Sequence, residues 1–154
     1  MVHIDYGISN IMETMARINI STPIFFKCKA ECSQCCEVSD GAVFIDEDNI
    51  KQISKFLKIS REEFLHRFTK KIRGRLVLAD YSGKDCIFLD EHKCLIYPVR
   101  PIQCRTFPFW PQNLKSQRRW NEIMDECPGI GEGEPYDRQE IEKIFNGAPV
   151  DSVK

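Results

Sequence analysis

Apolar residues recur at helical spacing in the first part of the chain. One such segment covers about residues 8–19 and ends before Pro23. A second is expected to begin at Asp46 or Asp48, because an aspartate side chain can accept hydrogen bonds from the free amides of a first helical turn. The apolar positions of these two predicted helices are Ile8, Ile11, Met12, Met15 and Ile18, and Ile50, Ile53, Phe56 and Leu57.

Two further helices are predicted from the same spacing and from their boundary residues. Ser60 followed by Glu63 fits a capping box, in which a hydroxyl and a carboxylate satisfy each other's backbone amides. The other helix is predicted over Tyr136–Phe145 and ends at Gly147. The apolar face of the helix that begins at Ser60 consists of Phe64, Leu65, Phe68 and Ile72.

Shorter segments between the helices are predicted as strands. The sequences GAVFID (41–46) and GRLVLADYSG (74–83) are strand-like, and CIFLDEHKCLIY (86–97) is typical of a hairpin. The next stretch, YPVRPIQCRTFPFWP, is expected to hold a short helix with Pro101 in its first turn and Pro108 at its end.

Together these elements predict an α+β fold. We expect one small domain whose loops are organised around one or more cysteine-ligated metal sites. Its predicted parts are an N-terminal helical segment (residues 1–24), a cysteine-cluster metal-binding domain (25–131), and a C-terminal helix and tail (132–154).

Length, charge and composition narrow the class of protein. The chain of 154 residues is long enough for one domain with a real core, and 42% apolar against 29% charged residues is an ordinary globular balance. The net charge of −1 predicts no long-range attraction to nucleic acid or to an anionic membrane. Because the sequence has no apolar run that could span a bilayer and no secretory signal, we expect a cytoplasmic protein with no membrane partner.

The eight cysteines are the strongest chemical signal in the sequence. In a reducing compartment, clustered cysteines bind metal or react more often than they form disulfides. Four of them lie within nine positions and four are spread over the second half of the chain: Cys28, Cys32, Cys35 and Cys36, then Cys86, Cys94, Cys104 and Cys127.

All eight cysteines are candidate metal ligands. The short spacings of the first group let one turn aim several sulfurs at one point, and distant loops can complete the shell, as in zinc and iron–sulfur proteins. Eight thiolates suffice for two four-sulfur sites, or for one site plus reactive thiols. Cys35 and Cys36 are adjacent, so their side chains are expected to point apart. His92, in the predicted hairpin, is a poor candidate ligand, as are the other histidines.

The type of ligand restricts the metal. An all-sulfur set excludes calcium and magnesium and favours zinc or an iron–sulfur cluster. The usual zinc ribbon has two C-x2-C pairs, whereas here only Cys32 and Cys35 have that spacing. We therefore favour an iron–sulfur cluster, of the [4Fe–4S] type, over zinc.

Charge predicts neighbours of the metal site. Four thiolates around Zn²⁺ or around a [4Fe–4S]²⁺ cluster carry a net charge of about −2, which is costly to bury without cations nearby. Arg100 and Arg105 bracket Cys104, and we predict that both donate to metal-bound sulfur. Lys27 and Lys29, which flank the first cysteine, are equally well explained as solvated surface charges.

Several of these segments resemble a known family. They are the early cysteine cluster, GAVFID followed by a helix, the run DCIFLDEHKCLIYPVRPIQCRTFPFWP, and the closing CPGIG (127–131). They are similar to the YkgJ-like cysteine-cluster proteins, a family named for a CxxCxxCC motif and described as a zinc- or iron-chelating domain. The resemblance covers about residues 25–131 and implies metal binding. One departure is that three residues, where the family name implies two, separate Cys28 from Cys32.

Three functions remain open from the sequence. The first is a metal-binding protein with an iron–sulfur cluster and a redox or cluster-related role. The second is an enzyme that uses S-adenosylmethionine, because the resemblance extends to the longer flagellin lysine N-methylases. The third is a zinc-stapled adaptor that binds another protein or RNA. Nucleic acid is not expected as a partner, since solvated helix ends explain the basic runs at residues 70–75 and 115–120.

Overall fold

A computed structural model of the chain describes residues 18–29, 32–37, 42–81, 85–150 and 153. It confirms the predicted α+β class, since helices and short antiparallel sheets alternate along the chain. The chain divides into two compact units, which we call the central unit (residues 31–104) and the terminal unit (residues 1–30 and 105–154). The helix predicted over residues 8–19 falls mostly outside the described residues.

Two consecutive helices of the central unit begin where their capping residues predict. Helix α1 (Glu47–Leu57) begins after Asp46, whose carboxylate accepts a hydrogen bond of 2.8 Å from the Asn49 amide. Helix α2 (Arg61–Phe68) begins after Ser60, whose hydroxyl accepts a hydrogen bond of 3.0 Å from the Glu63 amide. These side chains satisfy amides that a first turn leaves without partners within the helix.

The predicted apolar faces of these helices are confirmed in part. Ile50 and Ile53 are buried on α1, but Phe56 is 43% exposed. Phe64 is buried on α2. Ile72 does not extend the face of α2, because the helix ends at Phe68 and the chain continues as a strand.

The strands of the central unit form short antiparallel hairpins. Strand β2 (Thr69–Ile72) pairs with β3 (Arg75–Leu78). Of the strand predicted over residues 41–46, the described part (42–46) forms an isolated bridge between Phe44 and Val77. The other two hairpins have strands of two residues each: β4 (Asp80–Tyr81) with β5 (Asp85–Cys86), and β6 (Leu89–Asp90) with β7 (Lys93–Cys94).

Aromatic rings join these elements into a core. Phe88, between the two small hairpins, is 2% exposed and stacks on the ring of Phe68 with 4.9 Å between centroids. The ring of Phe64 also stacks on the ring of Phe88, with 6.4 Å between their centroids. Cys86 and Cys94, which are partly buried, pack against this core.

The terminal unit has its own sheet and core. Strand β1 (Ile24–Phe26) pairs antiparallel with β8 (Ile130–Tyr136), although the two lie about a hundred residues apart in sequence. The ring of Phe109 is fully buried, 5.6 Å from the ring of Phe26 and 6.0 Å from that of Trp120. The remaining α-helices among the described residues are α3 (Ile102–Thr106), α4 (Pro111–Leu114), α5 (Gln117–Glu126) and α6 (Arg138–Phe145).

Helix α3 confirms the short helix predicted between Pro101 and Pro108, and α6 begins two residues later than predicted, after its cap Asp137. Helix α5 was not predicted from the sequence. Within the described part of the chain, no helix combines the length and the apolar character that crossing a bilayer requires.

We predict that Phe88→Ala lowers the free energy of unfolding by about 3–5 kcal/mol, because it leaves a cavity among the stacked rings of the central unit. Urea denaturation followed by circular dichroism measures this change. Phe56→Ala is the matched control, since that ring is 43% exposed, and it should cost less than about 1 kcal/mol. Equal losses in the two variants would contradict the assignment of Phe88 to the core.

Candidate metal centre

Six of the eight cysteines belong to the central unit. They come from an early loop, from two strand ends and from one helix. All eight cysteines are reduced thiols. The six of the central unit are Cys32, Cys35 and Cys36 in the early loop, Cys86 at the end of β5, Cys94 at the end of β7, and Cys104 in α3.

The early loop is a tight turn. Residues Gln34–Cys36 form one turn of 3-10 helix, closed by a hydrogen bond of 2.7 Å from the Cys36 amide to the Ser33 carbonyl. The thiol of Cys36 acts on the neighbouring sulfur of Cys35 and lowers the pKa of Cys35. Divergence of the two adjacent side chains was expected for a helix or a strand, whereas Cys35 and Cys36 lie in a 3-10 turn and influence each other's pKa.

Two side-chain links fix the segments that carry these thiols. Ser33 is buried; its hydroxyl donates to the carboxylate of Glu37 and lies 3.2 Å from Nδ1 of His92, in the turn between β6 and β7. The buried Gln103 accepts a hydrogen bond of 3.0 Å from the Phe44 amide and donates one of 2.9 Å to the Ala42 carbonyl. Sequence reasoning missed both links, because neither partner is near the other in sequence.

Five of the six thiols influence one another electrostatically. The hydrogen bond from Cys36 lowers the pKa of Cys35 to about 7, and the same bond raises the pKa of Cys36. Burial raises the pKa values of Cys86, Cys94 and Cys104. The negative charge of Cys35 raises the pKa of each of the other four as well.

Arg100 is the cation that acts on these thiols. Its guanidinium lies 3.6 Å from the centroid of the Tyr97 ring, and its Nε donates a hydrogen bond of 3.1 Å to the Tyr97 carbonyl. Its positive charge lowers the pKa values of Cys35, Cys94 and Cys104, against the larger effects of burial on the last two. A charge that acts on three thiols at once stabilises their thiolate forms.

The other predicted cations are placed differently. Arg105 belongs to the terminal unit, and its Nε is buried without a hydrogen-bond partner among the described residues. Lys29 forms an exposed ion pair with Glu132, with 3.5 Å between nitrogen and oxygen. Cys28 and Cys127 also belong to the terminal unit.

Comparison with known proteins assigns the chain to a family. The family described as "CxxCxxCC: Putative zinc- or iron-chelating domain" matches residues 27–128. The chain belongs to the CxxCxxCC family. The resemblance predicted from the sequence is thus confirmed, and with it metal binding of the zinc- or iron-chelating kind.

One protein similar to this chain is itself uncharacterized. An uncharacterized protein of Methanocaldococcus jannaschii is 35% identical over 81 residues, which make up 51% of this chain and 42% of that protein. This chain therefore spans less than half the length of that relative. No solved structure matches the chain.

The thiols of this CxxCxxCC protein fit a group that brings positive charge. Several partly buried thiolates would repel one another, and a cation that binds them removes that repulsion. Soft sulfur donors suit zinc or iron. Over the described residues, however, no three side chains of histidine, cysteine, aspartate or glutamate are placed to hold a single metal ion.

The raised pKa values predict how stability changes with pH in the metal-free CxxCxxCC protein. Thiols of an unfolded chain have a pKa of about 8.5. In the folded protein the pKa values of Cys86, Cys94 and Cys104 are raised, so these thiols keep their protons to a higher pH. The free energy of unfolding should therefore fall as the pH rises above about 8.5. Because the pKa of Cys35 is lowered in the fold, this residue makes the free energy of unfolding rise with pH, but only between about pH 7 and about pH 8.5.

Urea denaturation of reduced, metal-free protein between about pH 7 and about pH 9.5 measures this dependence. The decline can reach about 1.4 kcal/mol per pH unit for each thiol. Cys104→Ala should make the decline shallower. A free energy of unfolding that kept rising above about pH 8.5 would contradict the proposed protonation of the folded thiols.

Proposed function

We propose that the central unit binds a [4Fe–4S] cluster and that the protein has a redox or cluster-related role. The observation that carries the proposal is the arrangement of the thiols. The charge of Cys35 reaches four other thiols, which come from the same loop, two hairpins and a helix. Nevertheless, no three donor side chains among the described residues are placed to hold one ion.

This spacing of the thiols favours a cluster over a single zinc ion. Zinc holds its thiolates at about 2.3 Å, so four sulfurs in a tetrahedron stand only about 3.8 Å apart. In a four-iron cluster each iron takes its own thiolate, and the protein sulfurs lie farther apart, around a larger body. Thiols that interact without being close enough to share one ion support the second arrangement.

We assign Cys35, Cys86, Cys94 and Cys104 as the four iron ligands. Three of them share the positive charge of Arg100, and the fourth, Cys86, raises the pKa of Cys104 through its own charge. Cys36 then acts as a donor to the sulfur of Cys35. Such a hydrogen bond withdraws charge from a metal-bound thiolate and tunes the metal centre.

The other two functions have weaker support. A zinc-stapled module would use the same thiols, and metal analysis distinguishes it directly. An enzyme that uses S-adenosylmethionine has no support among the described residues and depends only on the resemblance to longer proteins.

The test of the proposal is iron and sulfide analysis of anaerobically purified protein. Wild-type protein should be brown and contain about four iron and four acid-labile sulfide per chain. Cys104→Ser and Cys35→Ser should lose most of the iron and become less soluble, because the metal cross-links distant segments of the unit. Cys36→Ser is the matched control; its hydroxyl can still donate to sulfur, so it should keep the iron.

A colourless wild-type protein with stoichiometric zinc would contradict the iron–sulfur proposal. Full iron content and unchanged melting in both Cys35→Ser and Cys104→Ser would contradict the ligand assignment.

We further predict that removal of the Arg100 charge makes the cluster harder to reduce. A nearby positive charge stabilises the more negative, reduced state, so Arg100→Ala should lower the reduction potential by on the order of tens of millivolts. Arg100→Lys keeps the positive charge, so its reduction potential should lie between those of the wild type and Arg100→Ala. Redox titration followed by electron paramagnetic resonance measures the potentials, and a rise in Arg100→Ala would show that Arg100 does not act on the cluster.

A further inference from the structure

Cys32 and Cys36 of the central unit remain outside the proposed ligand set, and so do the two cysteines of the terminal unit, Cys28 and Cys127. The latter two lie at the same end of the two-stranded sheet of the terminal unit. In the register of β1 and β8, Phe26 is opposite Ile130. Beyond that pair, the amide of Lys27 donates a hydrogen bond of 3.0 Å to the carbonyl of Gly129. Cys28 is thus the next residue on one side, and Cys127 begins the turn on the other.

The backbone on both sides of this sheet end is held closely together. A Cβ atom on Gly129 would lie 2.4 Å from the carbonyl oxygen of Lys27, so only glycine permits this approach. The turn itself is closed by a hydrogen bond of 3.1 Å from the Ile130 amide to the Cys127 carbonyl. These contacts hold the backbone of Cys28 beside the turn that carries Cys127.

The two thiols differ in exposure. Cys28 is exposed, whereas Cys127 is 9% exposed and packs within the core of the terminal unit. In thiol–disulfide exchange an accessible thiol meets the external disulfide, and a second thiol on a neighbouring segment then displaces the bound group.

We propose that Cys28 and Cys127 are not ligands of the metal centre but form a dithiol site that exchanges with small disulfides carrying carboxylate groups. The inference does not depend on whether the metal of the central unit is iron or zinc. It gives the two cysteines of the terminal unit a chemistry of their own, separate from the four cysteines of the central unit that we assign as metal ligands.

The reaction balances within the dithiol and its co-substrate. The Cys28 thiolate attacks one sulfur of the external disulfide, which releases one thiol and leaves a mixed disulfide on Cys28. The sulfur of Cys127 then attacks Cys28 and releases the second thiol. The two cysteines lose two electrons, the external disulfide gains them, and the two protons of the cysteines end on the released thiols.

Charge selects the class of disulfide. Lys27 and Lys29 are exposed on either side of Cys28, and Lys29 already pairs with the carboxylate of Glu132 at 3.5 Å. Positive charges beside a thiol favour its thiolate form and attract an anionic reactant. A disulfide with carboxylates, such as oxidised glutathione, should therefore react faster than a cationic disulfide of similar size, such as cystamine.

The test uses the full-length, metal-loaded protein under anaerobic conditions. It is treated with oxidised glutathione, free thiols are blocked by alkylation, and peptides are mapped by mass spectrometry. We expect a cross-link between Cys28 and Cys127, and we expect Cys127→Ala to stop at the mixed disulfide on Cys28. The double variant Lys27→Gln and Lys29→Gln should react with oxidised glutathione about threefold to tenfold more slowly than the wild type. Its reaction with cystamine should be equally fast or faster.

Metal content separates this inference from the proposed function. The double variant Cys28→Ser and Cys127→Ser should keep the metal of the wild type, whether that is iron or zinc. Loss of the metal to the extent seen in Cys104→Ser would show that the two thiols are ligands and would overturn the inference. Retained metal without any Cys28–Cys127 cross-link in the wild type would overturn it as well.

Discussion

Mutual repulsion among closely placed thiolates is the constraint on which the account of this protein depends. Burial already opposes ionisation of Cys86, Cys94 and Cys104, and the charge of Cys35 opposes it further. Arg100 offsets part of this cost, but one guanidinium cannot neutralise several thiolates. A metal group that binds the thiolates removes the repulsion and adds its binding free energy to the stability of the fold.

The short secondary-structure elements of the central unit need cross-links of the kind that a bound metal provides. Two of its hairpins have strands of only two residues each, and the early cysteine loop has a single turn of 3-10 helix. Such short elements contribute few hydrogen bonds, so side-chain links have to fix them. Ser33 with His92 and Gln103 with Ala42 provide two of these links, and metal ligation would provide the strongest one.

Local signals in the sequence predicted the elements that local chemistry determines. Asp46 and Ser60 cap helices because their side chains accept hydrogen bonds from nearby amides, and that pattern is visible within four residues. The CxxCxxCC motif and its companion segments predicted the family in the same direct way.

Features that depend on distant contacts were not predictable. Strand β8 is rich in glycine and acid and is a strand where it pairs with β1. Phe56 has helical spacing, yet its side chain is 43% exposed. The division of the cysteines between two units follows from the folded chain, since spacing along the sequence does not reveal it.

The most direct test of the central claim is Mössbauer spectroscopy of protein expressed with ⁵⁷Fe and isolated without oxygen. The account predicts that nearly all iron gives the signal of a diamagnetic four-iron cluster with sulfur ligands, in an amount of about one cluster per chain. A well-folded protein whose sample contains neither bound iron nor bound zinc would contradict it.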